Sequence, residues 1–122
     1  MAWVTAAFCG LVTLATFDAT AAAQPKKLSG AEINAKISGM EITDEVHSSD
    51  VFTPGGALAS YAMGRKSSGT WRVQGDQLCI DRGKQPGSGC FDVWLSGNKV
   101  ELRTSGAALP FEGILRRPIQ RR

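Results

Sequence analysis

Two cysteines, each set in a run of alternating apolar residues, constrain this chain more than any other feature. Cys79 sits in Q-L-C-I-D and Cys90 in G-C-F-D-V-W-L, and the segment between them, R-G-K-Q-P-G-S-G, is rich in turn formers. Leu78 and Ile80 flank the first cysteine, while Phe91, Val93 and Leu95 alternate with the second. On extended strands both sulfurs then point away from the face that carries those side chains. Adjacent antiparallel strands bring two such Cβ atoms within bridging distance. A Cys79–Cys90 disulfide is expected, stabilising by about 2–3 kcal/mol through its effect on the unfolded chain. Neither C-x-x-C spacing nor a neighbouring histidine accompanies the pair, so redox or metal chemistry is disfavoured.

The opening segment supports this pairing. Ala6 to Phe17 is an apolar run suited to the h-region of a secretory signal; Asp18 ends it, and Ala21 and Ala23 supply the small residues a signal peptidase accepts. Residues 1–23 are therefore expected to be a cleavable signal peptide, although the α-amino group is the only positive charge ahead of the run. A spanning anchor needs about 20 predominantly apolar residues, and Asp18 interrupts too early for one. Cys9 has Phe8 before it, where a lipidated cysteine wants a small residue. Cleavage discards Cys9 and leaves Cys79 and Cys90 as the one possible intramolecular pair, in a periplasmic or secreted protein with no stable membrane anchor. The only charge lost is Asp18, which raises the formal net charge of +3 by one.

Residues 24–27 read as a disordered lead-in, 28–116 as one domain with a single core, and 117–122 as a basic tail. Within L-S-G-A-E-I-N-A-K-I-S-G, Ser29 suits the N-cap and Glu32 its capping-box partner. Leu28 and Ile33 form a hydrophobic staple, Ile33 and Ile37 share a face, and Gly39 can end the helix. Two helical turns are too few to stand alone, so this segment should pack on a sheet. Beyond Gly39 the apolar period becomes two. Strands are expected near 40–46, 50–53, 57–63, 69–74, 77–82, 89–95, 98–103 and 109–116, joined by turns such as Thr53-Pro54-Gly55-Gly56, Gly75-Asp76, Ser96-Gly97-Asn98 and Ser105-Gly106-Ala107. The fold class is mainly β: one short N-terminal helix, then an antiparallel meander curled into a small open barrel or twisted sheet, with one disulfide. Trp71, Val73, Leu78, Ile80, Phe91, Val93, Val100, Leu102 and Phe111 are expected to fill its core.

The capped L-S-G-A-E-I helix, the aromatic-P-G-G turn, and G-T-W-R-V-Q-G-D-Q-L-C with a second cysteine beyond it resemble a group of small exported alphaproteobacterial proteins of unknown function. The likeness covers roughly residues 28–103. It implies a periplasmic helix-plus-meander domain with a disulfide and brings no catalytic residues. The C-terminal R-R-P-I-Q-R-R departs from the group in being more basic.

No active site is expected. His47, the one histidine, lies in D-E-V-H-S-S-D, where Asp44, Glu45, Ser48, Ser49 and Asp50 are neighbours in sequence and do not converge as a triad must. Zinc is disfavoured with one histidine and both cysteines paired, and the acidic residues match no calcium loop. Asp76, Asp81, Asp92, Glu101 and Glu112 offer no distinguishable catalytic pair. Nucleophile-elbow, metalloprotease and phosphate-loop motifs are missing from the sequence.

Binding is the expected role, with no cofactor, no metal and no nucleic acid. Trp94 shares a face with Cys90 and Asp92, away from the core, and is a candidate surface contact for a glycan or protein, with Arg72 available to stack on it. Arg116, Arg117, Arg121 and Arg122 can form a cationic patch with Lys26 and Lys27 for weak contact with an anionic surface. The leading expectation is thus a non-catalytic domain binding a ligand or an envelope protein or glycan. The alternative is a small inhibitor of an envelope-directed hydrolase, using an exposed loop near His47 or Gly83 to Gly89; a hydrolase ranks third.

Overall fold

A computed structural model describes residues 24–104 and 109–121, with isolated positions 10, 12, 14 and 15. Residues 1–23, expected from sequence to be a signal peptide and including Cys9, fall almost wholly outside the described residues, as do the expected Ser105-Gly106-Ala107 turn and Arg122. The elements are β1 (Lys26–Lys27), α1 (Gly30–Ile37), β2 (Glu41–Thr43), β3 (Ser48–Phe52), β4 (Ala57–Ala62), β5 (Arg65–Gln74), β6 (Gln77–Asp81), β7 (Gly89–Ser96), β8 (Lys99–Arg103) and β9 (Phe111–Arg116). Each expected strand is present, with ends shifted by a few residues.

Every strand from β2 to β8 pairs antiparallel with the next in sequence, β8 pairs with β9, and β9 returns to β2. The meander therefore closes into an eight-stranded up-and-down barrel, which removes the free edges an open sheet would carry. Cys79 stands opposite Cys90 in the β6–β7 ladder and is bonded to it, while Leu78, Ile80 and Val93 point into the core.

β1 is the ninth strand, and it draws Lys26 and Lys27, expected from sequence to belong to a disordered lead-in at 24–27, into the sheet. β6 pairs with β7 only over Gly89 to Phe91, because the chain turns away at Gly75–Asp76. Lys26 and Lys27 take over that vacated edge opposite Leu95 and Trp94, and the Leu28 amide adds a bond to the Val93 carbonyl at 2.8 Å.

α1 closes one end of the barrel. Its capping box forms as the sequence suggests: the Glu32 amide donates to Ser29 Oγ and the Ser29 amide to Glu32 Oε1, each at 3.2 Å. Ile33 and Ile37 are buried with Leu28, Phe52 and Trp71. Asp76 adds a tie that local pattern does not reveal, since its Oδ1 accepts the Gly30 amide at 2.7 Å from a residue 46 positions away. A Cβ at Gly30 would lie 2.1 Å from the Gly75 carbonyl oxygen, so only glycine lets the helix start sit this close to the β5–β6 turn.

The core holds most of the residues expected, together with Ile42, Phe52 and Leu58. Phe52 and Trp71 meet edge to face with ring centres 5.7 Å apart, and the Trp71 indole donates to the Thr53 carbonyl at 2.9 Å. Phe111 is the exception. It takes an interior position opposite Leu102, yet it lies at the far end of the barrel and is 38 % exposed.

Candidate binding site at the barrel mouth

The end opposite α1 is built differently. Ladder register places Ile42, Asp50, Ser60 and Ser67 in one row across β2, β3, β4 and β5, all on the interior side. An apolar layer thus gives way, near the mouth, to a carboxylate and hydroxyls. Arg82, just past the end of β6, reaches in and grips Asp50 with both terminal nitrogens, each bond 2.6 Å long. Ser60 donates to Asp50 at 2.7 Å and accepts from the same guanidinium at 2.8 Å. The Asp50 and Arg82 side chains are only 12 % and 18 % exposed. The bonds to Asp50 raise the Arg82 pKa further above its ordinary value, against the opposing effect of burial.

Above this pair lies a cavity of about 270 Å³, walled by Ser48, Asp50, Ser60, Ser67 and Arg82 and rimmed by Tyr61, Gln85, Pro86 and Phe111. Its rim is braced. The Arg82 amide donates to Ser88 Oγ at 2.8 Å, Arg82 Nε to the Gly87 carbonyl at 3.3 Å, and the Gly83 amide to Asp81 Oδ1 at 2.8 Å. With the disulfide at its base, the exposed loop from Gly83 to Ser88 is held at both ends.

The residues singled out from sequence occupy other faces. Trp94 is half-buried on the outer surface of β7, and the cation over its ring, 4.3 Å from the centre, belongs to Arg103. Arg72 does not reach it: β6 lies between their strands, and Arg72 is exposed and donates to Gln74 at 2.9 Å. Arg103 also grips Glu101, the cross-strand neighbour of Trp94, so the face is already an internal stack.

The basic tail is similarly occupied. Arg116 donates to Glu41 Oε2 at 2.9 Å, and Arg121 folds back to bond the other oxygen while lying 4.1 Å from the centre of the Tyr61 ring. Glu41 is fully buried. Burial pushes its pKa up, but the two arginines outweigh that and hold it below the ordinary carboxylate value. Arg117 alone of the described tail arginines is exposed.

His47 lies with its Nδ1 3.6 Å from Asp44 Oδ2, but Asp44 Oδ1 is engaged by the amides of Val46, His47 and Ser48. The Ser48 amide bond is the largest cause, opposed by some burial, of an Asp44 pKa lowered from 3.8 to about 2. Among the described residues no three His, Cys, Asp or Glu side chains converge as a metal site. Also among the described residues, no helix is long and apolar enough to cross a membrane.

Sequence reasoning missed the mouth because Asp50 and Ser60 look like solvated strand residues until the ladder shows which face they occupy. One signal was present: the alternation that puts Phe52 and Leu58 inside also puts Asp50 and Ser60 inside. Compared with known proteins, the chain matches no family model, no curated protein and no solved structure, so the case for its function rests on this geometry.

Proposed function

We propose that this chain is an exported, non-catalytic binding domain that takes a ligand or envelope partner at the open end of its barrel, outside the cytoplasm. The observation that carries this reading is the contrast along the barrel axis. Apolar side chains and α1 fill one end, whereas the other presents a polar cavity with a buried ion pair and a braced rim. Filled small barrels use their mouths and loops for recognition. The disulfide fits an oxidising compartment, in line with the signal-like opening segment. The carboxylates support a non-catalytic role, because Glu41, Asp44, Asp50, Asp76 and Glu101 are each engaged by an arginine or by backbone amides.

The test is a residue-resolved NMR titration of the oxidised protein against fractionated envelope extract. Shifts clustered on Ser48, Asp50, Ser60, Arg82 and Phe111 are expected. Shifts confined to Trp94 or the C-terminal arginines, or none with any fraction, would overturn the proposal.

The braced, exposed Gly83–Ser88 loop favours a second reading, a small inhibitor that inserts this loop into an envelope-directed hydrolase. Under that reading Lys84→Ala, which changes no residue lining the cavity, abolishes inhibition of such an enzyme while the small-ligand shifts at the mouth persist.

A further inference from the structure

Resting on the mouth-binding reading above, we propose that the cavity accommodates a single uncharged, hydroxyl-rich pyranose ring, as presented by a neutral sugar or a neutral envelope glycan. Three observations select that class. Size comes first: at about 270 Å³ the space is slightly smaller than the usual range for drug-sized ligands and suits one ring. The interior behind it is filled by Phe52, Leu58 and Trp71, which leaves no channel for an acyl chain.

Charge is the second. Asp50 and Arg82 neutralise each other in a bidentate pair that is nearly removed from water. To gain a full charge pair, an anionic ligand would have to take Arg82 from Asp50, and a cationic one Asp50 from Arg82. Either exchange strands a buried charge, which costs several times what a rim contact returns. A neutral ligand needs no exchange. It can bond to the capacity the pair leaves over, a lone pair on Asp50 Oδ2 and the second N–H of Arg82 Nη2. That adjacent acceptor and donor match two neighbouring ring hydroxyls, each of which both donates and accepts.

The remaining lining is the third. The Ser48 and Ser67 hydroxyls face the cavity with no side-chain partner among the described residues, and both can give or take a hydrogen bond. Phe111 supplies the apolar element. Its partly exposed ring lines the mouth and is the aromatic surface free for the C–H side of a sugar, whereas Tyr61 has Arg121 stacked on it.

The experiment uses the full oxidised chain, followed by NMR. Probes are glucose and N-acetylglucosamine as neutral rings, glucuronate as the same ring with a charge, and acetate and inorganic phosphate as anions without a ring. Soluble chitooligosaccharide separates a free sugar from a glycan: tighter binding of the oligomer than of the monomer assigns a glycan chain. A neutral ring at tens of millimolar should shift Ser67, Phe111 and the Arg82 side-chain N–H, with glucuronate weaker and acetate without effect. Phe111→Ala should weaken binding about tenfold, as loss of an aromatic face does, and Ser67→Val should weaken it as well. Both leave Asp50–Arg82 in place, and retained Cys79–Cys90 hairpin cross-peaks confirm the fold. Failure of both neutral sugars and the oligomer overturns the sugar assignment. If an anion or an extract fraction still shifts the mouth, the mouth-binding reading survives that failure; if every shift maps elsewhere, both fall.

Discussion

Asp50 and Glu41 are both buried carboxylates held by arginine, and they differ in where the arginine comes from. The partner of Asp50 is Arg82, 32 residues away in a loop whose base is a disulfide and whose turns are hydrogen-bonded. Glu41 lies on the outer side of β2 and takes Arg116 and Arg121, 75 and 80 residues away, the second from beyond the last strand. Asp50 thus has a single arginine, which the fold holds in place. Glu41 has two, one fixed in a ladder and one on the segment beyond the last strand. Losing Arg82 should therefore leave a stranded charge inside the barrel, while losing Arg121 should leave Glu41 with a partner still attached.

The largest expected effect follows directly. Arg82→Ala strands the Asp50 carboxylate and should cost about 3–5 kcal/mol in chemical denaturation. The paired change Arg82→Met with Asp50→Leu removes both charges and should recover most of that loss, since replacing a buried pair by apolar side chains is often close to neutral. A double variant as unstable as the single one would show that the loop architecture, and not the stranded charge, sets the cost.

Opening the disulfide comes next. Cys79→Ala with Cys90→Ala frees a loop with a sequence separation of 11, and the chain-entropy model gives a loss of about 3 kcal/mol. The comparison is sharpened by adding Arg121→Ala, because the two sites share no partner and the losses should add. Adding Arg82→Ala instead should give a smaller total than the sum, because the disulfide positions the loop that carries Arg82.

Ending the chain after Pro118 removes Arg121 and leaves Arg116 on Glu41. The expected cost is about 1.5–3 kcal/mol, the size of one hydrogen bond to a charged group. A loss as large as that of Arg82→Ala would break the contrast and make the terminal segment an equal part of the fold.

How much of this could be read from sequence depended on whether the partners were local. The Ser29–Glu32 capping box spans three residues, and the cysteines sit in adjacent strands of one hairpin, so pattern and spacing sufficed for both. Strand alternation placed Trp71, Leu78, Val93 and Leu102 correctly. Closure was not legible, because the β2–β9 ladder joins residues more than 70 positions apart. The same distance hid the Glu41 cluster and made Arg116 and Arg121 look like free surface charge. Arg72 was assigned to Trp94 because their shared outward face was readable; their separation by β6 was not.

The smallest expected effect concerns a third carboxylate, which has no arginine. Asp44 accepts three amides of its own turn, and its pKa falls from 3.8 to about 2. A carboxyl with a lowered folded pKa stabilises fully above its unfolded value and loses that contribution as pH falls through the folded one. The 44–48 turn should therefore weaken between about pH 4 and pH 2. Glu41, also lowered, adds an acid loss of the same sign. Asp44→Asn separates the two, because the amide oxygen still accepts the backbone N–H groups but cannot titrate. At neutral pH it should cost about 1 kcal/mol, the margin between charged and neutral acceptors. In acid it should flatten the stability profile over the Asp44 range and leave the Glu41 part intact. Amide exchange at Val46, His47 and Ser48 reports the first and exchange at Ile42 the second. If Asp44→Asn abolished the whole acid dependence, the arginine-held carboxylate on the outer wall would contribute nothing, and the contrast would reduce to Asp50 alone.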